Sequence, residues 1–176
     1  MNLNLEKIKK KNISFVGLMG SGKSLIGKLL SKELGIKHFD SDACIEKSLK
    51  RSINDIFLKD GENYFRKKEK EVVLSLLQNK NCIISLGGGA IIQKSIRDSL
   101  KENSYTIYLK TDIETIYERV KFSKKRPLIK SLNIKAKLTN LLKDREQYYN
   151  DSDLIINNKN DIDYILIKIK EKLKVT

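Results

Sequence analysis

Residues 17–24 read Gly-Leu-Met-Gly-Ser-Gly-Lys-Ser, and this stretch decides how the rest of the sequence is interpreted. It fits the pattern G-x-x-x-x-G-K-[ST], in which a glycine-rich turn lets successive backbone N–H groups converge on one anion. An apolar run, Asn12–Val16, precedes the stretch, and a helical repeat, Lys23–Leu34, follows it. A chance glycine-rich turn is the alternative, but it does not account for both flanks. We therefore predict a loop that binds nucleotide phosphates.

Two side chains of this loop have expected tasks. Lys23 should reach the β- and γ-phosphates, and the Ser24 hydroxyl should ligate the Mg²⁺ that bridges them. The loop alone does not indicate which molecule receives the phosphate.

Strands and helices alternate along the whole chain. This alternation favours an α/β fold, with a parallel sheet covered by helices on both faces and ligands at the carboxyl ends of the strands. The expected strands are Asn12–Val16, Ile36–Phe39, Asn81–Leu86, Tyr105–Leu109 and Asp153–Ile156. No internal repeat or linker is evident, so we predict a single domain over residues 1–176. The basic stretch of about residues 121–131, which holds the only proline, is interpreted as a mobile lid.

Composition narrows the classes of function. The formal net charge of +14 raises nucleic acid as a partner, but the charge is spread along the chain without a basic arm that carries interleaved aromatics. A positive field would also attract anionic substrates such as nucleotides, so charge alone does not choose between these partners. With the sequence motifs taken into account, we expect no nucleic acid. No apolar run is long enough for a membrane helix, and no signal peptide is evident, so we expect a cytoplasmic protein with no membrane partner. Cys44 and Cys82 are too few for a disulfide framework or a zinc site.

Two further clusters follow predicted strands. Asp40-Ser41-Asp42 could supply one carboxylate for a magnesium-bound water and another for a substrate hydroxyl, although a helix N-cap cluster is the alternative. Gly87–Gly89 could let a ligand approach the backbone closely, and a tight turn with positive φ is the alternative. One glycine would suffice for such a turn, so three favour a binding surface.

Arginine is scarce in this chain. It has 30 lysines and 6 arginines, so lysine is its default surface cation, and each arginine needs a reason. The planar guanidinium binds phosphate or carboxylate through two parallel hydrogen bonds, which lysine cannot do. Arg66, Arg119, Arg126 and Arg145 lie near loops or helix ends and are candidates for this task. The alternative is a surface ion pair. Arg51 and Arg97 lack such a context, and we interpret them as surface residues.

Together these motifs resemble those of the shikimate kinase family. The resemblance covers nearly the whole chain and rests on Gly-Ser-Gly-Lys-Ser at 20–24, Asp-Ser-Asp at 40–42, Gly61-Glu62 leading to Phe65-Arg66, the triple glycine at 87–89, Arg126-Pro127-Leu128 and Arg145. It implies a five-stranded parallel sheet in the order 2-3-1-4-5, of the nucleoside monophosphate kinase kind. It also implies Mg²⁺-dependent transfer of the γ-phosphoryl group of ATP to the 3-hydroxyl of shikimate, a step toward chorismate and the aromatic amino acids.

The resemblance also implies roles for individual residues. Lys23, Asp42 and Arg126 would be catalytic, with Asp42 holding the reacting hydroxyl and Arg126 moving in with the lid. The Mg²⁺ would lie at Ser24 and Asp40. The substrate would contact Asp42, Arg66, Gly87, Gly88, Gly89 and Arg145, with the two arginines on its carboxylate. The nucleotide would contact Gly20, Ser21, Gly22, Lys23, Ser24, Leu25, Arg119, Arg126 and Lys159, with Arg119 along the adenine.

The sequence departs from the family pattern at three positions. Gln147 stands where members usually have proline, Leu25 where many have threonine, and Lys159 where an arginine often lies near adenine. Two rival functions stay open: a related kinase for gluconate or a nucleoside monophosphate, and, more remotely, a nucleic-acid-binding P-loop protein. We expect a monomer that binds ATP and shikimate.

Overall fold

The computed structural model describes residues 9–122, 133–158 and 161–173, and it has the predicted α/β architecture. The strands are β1 (Asn12–Val16), β2 (Lys37–Asp40), β3 (Cys82–Ser85), β4 (Ser104–Lys110) and β5 (Leu154–Asn157). The helices of the described ranges are α1 (Lys23–Leu34), α2 (Ser41–Leu49), α3 (Ile53–Lys59), α4 (Gly61–Leu77), α5 (Lys94–Asn103), α6 (Ile113–Val120), α7 (Ile134–Asn150) and α8 (Ile162–Leu173). A short 3-10 turn, Ala90–Ile92, precedes α5 and was not expected from the sequence.

The five strands form one parallel sheet in the order β2-β3-β1-β4-β5, as predicted. β1 lies at its centre, so the loop that follows Val16 emerges from the middle of the sheet. Asp40 at the end of β2 pairs with Ser85 at the end of β3, and Ser85 pairs with Phe15 of β1. The phosphate loop, the aspartate pair and the glycine turn therefore leave the same edge of the sheet.

The sheet is buried on both faces. In β1, Ile13 and Phe15 point to one apolar layer and Val16 to the other, since successive side chains of a strand alternate. One layer is closed by α1 and α8 through Ile26, Leu30, Ile165, Leu166 and Ile169. The other is closed by α4, α5, α6 and α7 through Val73, Leu77, Ile96, Leu100, Ile116, Val120, Leu138 and Tyr149. Helices on both faces hold the strand ends in fixed positions.

Helix α1 lies against the sheet at Gly27. A Cβ atom there would come within 2.6 Å of Ser85 Oγ and 2.8 Å of His38 Nε2, so only glycine allows this approach. Ser85 Oγ donates to the Lys23 carbonyl at 3.0 Å and lies 2.9 Å from His38 Nε2. These contacts fix the first turn of α1, and therefore the phosphate loop before it, to β3.

Helix α7 is uninterrupted through Gln147, the position where members of the family that the sequence resembles usually have proline. Gln147 keeps the backbone N–H that proline lacks, so the helix continues to Asn150. Its last turns therefore hold Arg145 and Tyr149 on one face, four residues apart.

Several sequence predictions fall outside the described residues. Of the predicted lid, only Lys121 and Phe122 are described, and Arg126, Pro127 and Lys159 are not. The single domain over residues 1–176 also stays a prediction. Within the described ranges, no helix combines the length and apolar character needed to cross a bilayer. Cys44 and Cys82 both carry free thiols.

Candidate active site

The phosphate loop is built on glycines with positive φ. Gly17, Gly20 and Gly22 have φ values of 139°, 78° and 94°, which side chains disfavour, so the loop's curl depends on glycine at these positions. The Lys23 ammonium is buried and donates to the Gly17 and Leu18 carbonyls at 2.8 and 2.9 Å. These two bonds hold the positive charge of Lys23 within the curl of the loop.

Two side chains from distant elements hold the loop from outside. Arg119 Nη1 of α6 donates to the Gly20 carbonyl at 2.9 Å, and Asn158 Nδ2, just after β5, donates to the Ser21 carbonyl at 2.7 Å. Because a trans peptide points its C=O and N–H in opposite directions, a carbonyl held outward turns the next N–H the other way. The bond from Asn158 therefore sets the direction of the Gly22 N–H.

Asp40 is the N-cap of α2, the alternative that the sequence left open, and its second carboxylate oxygen contacts Ser24 of the phosphate loop. Its Oδ1 accepts from Ala43 N at 3.1 Å and caps α2, while its Oδ2 accepts from Ser24 Oγ at 2.5 Å. No group of three or more His, Cys, Asp or Glu side chains that could hold a metal occurs among the described residues. A hydroxyl beside a carboxylate suits Mg²⁺, because this ion commonly takes one or two protein ligands and completes its shell with phosphate oxygens and water.

Each glycine of the turn 87–89 makes room for a different partner. A Cβ on Gly87 would overlap the Asp42 carboxylate, one on Gly88 would lie 2.9 Å from Met19 N of the phosphate loop, and one on Gly89 would lie 2.6 Å from Arg66 Nη2. The segment does form a tight turn, closed by the bond from Ala90 N to the Gly87 carbonyl at 3.1 Å, but none of the three glycines has positive φ, so that part of the alternative is wrong. Close approach explains all three glycines. The turn is also tied to α2, because Gly87 N donates to Ser41 Oγ at 2.8 Å.

A cavity of about 480 Å³ lies between α2, α3, α4 and the glycine turn. Its charged lining comprises Asp40, Asp42, Glu46, Arg66, Glu69 and Arg145, and its apolar lining includes Met19, Ile53, Phe57 and Phe65. A second cavity of about 260 Å³ adjoins it along the phosphate loop. The two cavities meet at six residues that line both, namely Met19, Ser24, Asp40, Asp42, Gly87 and Gly88.

Arg66 is held by two carboxylates of its own helix. Its Nη1 donates to Glu69 Oε2 at 2.7 Å, and its Nε and Nη2 donate to Glu62 Oε1 at 3.2 and 3.0 Å. Glu69 is only 1% exposed, and burial raises the pKa of its carboxyl, while the Arg66 guanidinium and the Gln93 amide oppose that rise. The buried Glu69 thereby orients the arginine at the cavity wall.

Arg145 is 3% exposed and also lines the cavity. Its Nη1 donates to the Gly88 carbonyl at 3.2 Å, and the Tyr149 hydroxyl donates to the same oxygen at 2.5 Å. Among the described residues, Arg145 Nε is buried without a hydrogen-bond partner. A charged guanidinium that lines a cavity suits an anionic ligand there.

Comparison with known proteins agrees with this geometry. The sequence profile of the shikimate kinase family matches residues 19–174. This chain belongs to the shikimate kinase family. It is 34% identical over 165 residues to the shikimate kinase of Cereibacter sphaeroides, covering 93% of this chain and 83% of the relative. It is 38% identical over 157 residues to that of Persephonella marina, covering 89% and 94%.

Solved structures extend the comparison. The shikimate kinase from Acinetobacter baumannii in complex with shikimate superposes with a TM-score of 0.90 at 34% identity, covering 97% of this chain and 98% of that one. A gluconokinase from Sinorhizobium meliloti reaches a TM-score of 0.58 at 16% identity, and this likeness shows the fold alone. The predicted family, fold and enzyme class are confirmed: the chain is a shikimate kinase family phosphotransferase whose acceptor is a hydroxyl of shikimate.

The structure brings together most of the residues assigned from sequence. Every described one lines at least one of the two cavities, except Ser21 and Arg119. Ser21 is buried in the loop, and Arg119 holds the loop carbonyl of Gly20. Gly89, Arg66 and Arg145 line only the larger cavity. Leu25 is 52% exposed and lines the loop-side cavity. The assignments of Arg126 and Lys159 lie outside the described residues.

The remaining two arginines, interpreted as surface residues, are both partly exposed. Arg51 forms an ion pair with Asp60 at 2.8 Å. Arg97 donates to the Ile91 carbonyl at 2.9 Å, and its Cζ lies 4.1 Å from the centre of the Tyr148 ring. Arg97 thereby links two elements, the 3-10 turn that precedes α5 and the helix α7.

Sequence reasoning also missed Glu69, Asn158 and Tyr149. Glu69 could have been found, because it lies three residues after Arg66 on a predicted helix, where opposite charges pair. Asn158 and Tyr149 contact residues 137 and 61 positions away, so no local signal marks them.

We expect Asn158→Asp to weaken nucleotide binding. The substitution keeps the size of the side chain but turns a carboxylate oxygen toward the Ser21 carbonyl, so the peptide that aims the Gly22 N–H loses its donor. The dissociation constant for ADP, measured by calorimetry, should rise about tenfold, or roughly 1.4 kcal/mol. Asn157→Asp adds the same charge at the exposed neighbouring residue and should change it little. Equal effects of the two substitutions would contradict a specific role for Asn158.

Proposed function

We propose that this chain transfers the γ-phosphoryl group of ATP to the 3-hydroxyl of shikimate, with Mg²⁺, in the route to chorismate and the aromatic amino acids. The observation that carries the proposal is the larger cavity, of about 480 Å³, which we assign to the acceptor. This acceptor cavity combines two arginines and two aspartates next to the phosphate loop, which matches a small polyol with one carboxylate.

Arg66 and Arg145 would bind the carboxylate of shikimate. Arg145 lines the cavity and has N–H groups beyond the Nη1 bond to the Gly88 carbonyl, and Arg66 retains N–H groups beyond the three that contact Glu62 and Glu69. The A. baumannii relative was solved with shikimate bound, which supports the same ligand here. Asp42, half-buried in the first turn of α2, would accept hydrogen bonds from the ring hydroxyls.

The donor nucleotide would lie along the loop. The backbone N–H groups of residues 20–24 and the N-terminus of α1 suit the phosphates, and Lys23 would exchange its bonds to the loop carbonyls for phosphate oxygens. Arg119, which holds the Gly20 carbonyl, would also contact the adenine, and we assign Lys159 to the same region by family resemblance.

Ser24 and Asp40 would hold Mg²⁺, directly through the hydroxyl and through water at the carboxylate. When bound, the ion supplies positive charge that offsets the charge of the β- and γ-phosphates. Asp40 keeps its capping bond to Ala43 through the other oxygen, so its carboxylate is positioned in advance.

The reaction needs positioning more than covalent chemistry, because phosphoryl transfer passes through a loose transition state. Asp42 would orient the acceptor hydroxyl and take its proton. Gly87 lets that carboxylate lie against the backbone of the turn, which limits its movement. Arg126, on the proposed lid of about residues 121–131, would move in over the phosphates and exclude water, which would otherwise compete with the acceptor.

A panel of acceptors tests the proposal. ADP release is measured with shikimate, gluconate and nucleoside monophosphates, each with ATP and Mg²⁺. We expect turnover with shikimate at a kcat/KM at least about a hundredfold above the others. The ring of shikimate fixes its carboxylate and hydroxyls relative to one another, whereas gluconate is an open chain that must be ordered on binding and a nucleoside monophosphate is larger and carries a phosphate. No turnover with shikimate, or faster turnover with gluconate, would overturn the proposal.

We expect Arg66→Lys to raise the KM for shikimate by about tenfold or more, because one ammonium cannot replace a two-pronged, charge-assisted contact. The KM for ATP should stay within about twofold, because Arg66 lies on the acceptor side alone. Arg51→Lys is the matched control, since Arg51 pairs with Asp60 outside both cavities. A change confined to the KM for ATP would show that the acceptor site is misassigned.

A further inference from the structure

Tyr149 has no direct place in the proposed reaction, yet it is one of the most buried polar side chains near the acceptor cavity. It is 1% exposed and does not line the cavity. Its ring stacks on that of Tyr108 with 5.0 Å between centroids, and its hydroxyl donates to the Gly88 carbonyl at 2.5 Å. Packing alone would be served by phenylalanine, so the hydroxyl needs its own explanation.

The hydroxyl shares its acceptor with Arg145. Arg145 Nη1 donates to the same Gly88 oxygen at 3.2 Å, and the two residues lie four apart on α7. A carbonyl oxygen has two lone pairs, so it accepts both bonds. Burial raises the pKa of the Tyr149 phenol well above its ordinary value, against the effect of the Arg145 guanidinium, so the phenol keeps the proton that it donates.

The Gly88 carbonyl belongs to the peptide that joins two glycines, so its hydrogen bonds restrict the rotation of that peptide. Glycine peptides rotate more freely than others, because no Cβ restricts φ and ψ. The Gly88 carbonyl and the Gly89 N–H belong to one trans peptide and point in opposite directions. A donor fixed on the carbonyl from α7 therefore fixes the Gly88–Gly89 peptide as a unit.

That peptide supports the second arginine. A Cβ on Gly89 would lie 2.6 Å from Arg66 Nη2 and 2.8 Å from Arg66 Cζ, so the guanidinium rests on the Gly89 backbone. Rotation of the peptide would displace this surface. The Tyr149 hydroxyl thus acts on Arg145 through a shared acceptor and on Arg66 through the turn beneath it.

We propose that Tyr149 is a positioning residue for the acceptor: its hydroxyl locks the Gly88–Gly89 peptide and thereby aligns the Arg66 and Arg145 guanidinium groups for one carboxylate. The proposal rests on the function proposed above, in which these arginines bind the shikimate carboxylate. It concerns a residue that contacts neither substrate.

Tyr149→Phe tests the proposal, because it removes the hydroxyl and keeps the ring stack. We expect the KM for shikimate to rise about five- to tenfold, the scale of one lost neutral hydrogen bond, with kcat and the KM for ATP within about twofold. Tyr108→Phe is the matched control. It removes the hydroxyl of the other ring in the same stack, which makes no bond to the glycine turn among the described residues, and it should leave all three constants within about twofold.

A double-mutant cycle separates positioning from a general structural effect. If Tyr149 acts through Arg66, then adding Tyr149→Phe to Arg66→Lys should raise the KM for shikimate by less than about half of its effect in the wild-type background. Additive effects, equal effects on both substrates, an unchanged KM for shikimate or a variant that does not fold would each overturn the proposal. Absence of wild-type turnover with shikimate would instead refute the proposed function itself.

Discussion

The site depends on one close approach between two stretches of backbone. The glycine turn 87–89 lies so near the phosphate loop that a single Cβ on Gly88 would come within 2.9 Å of Met19 N. This approach is possible because β3 and β1 are neighbours in a parallel sheet and end at the same edge. It places the phosphate side and the acceptor side on opposite sides of a shared wall, with Asp42 against the turn. Distance between donor and acceptor is thereby set by backbone rather than by flexible side chains.

Ion pairs and hydrogen bonds hold the charged side chains around the shared wall in place. The two acceptor-side arginines are buried or nearly so, and each is held by protein groups: Arg66 by Glu62 and Glu69, and Arg145 by the Gly88 carbonyl. A buried carboxylate such as Glu69 is costly unless it is paired, so the pair is maintained as a unit. The phosphate loop is also held by protein groups. Arg119 and Asn158, which are distant from it in sequence, donate to two successive loop carbonyls, those of residues 20 and 21. Preorganised donors on both sides suit a reaction that is accelerated mainly by positioning.

Much of this could be predicted from the sequence, for physical reasons that differ between elements. β1 and α1 were predicted with their observed bounds, because the glycine-rich loop between them marks the end of β1 and the start of α1. The other four strands differ from the prediction by one residue at each end, and β2 extends to Asp40, whose side chain caps α2. The roles of Gly87, Gly88 and Gly89 could be predicted only as close approach, not by partner. The roles of Asn158 and Tyr149 could not be predicted, because each depends on a hydrogen bond to a carbonyl far away in the sequence. Asn158 bonds to Ser21, 137 residues away, and Tyr149 bonds to Gly88, 61 residues away.

The central claim is that the Gly88 contact couples the two halves of the site, and steady-state kinetics of Gly88→Ala test it most directly. The added methyl group must displace either the phosphate loop at Met19 or the turn that bears on Arg66 and Asp42, and each displacement disturbs the shared wall. In folded protein, we predict that kcat/KM falls by about a hundredfold or more for both ATP and shikimate, since small misplacements in a positioning site are costly. A variant that retains wild-type kcat/KM for both substrates would contradict the account.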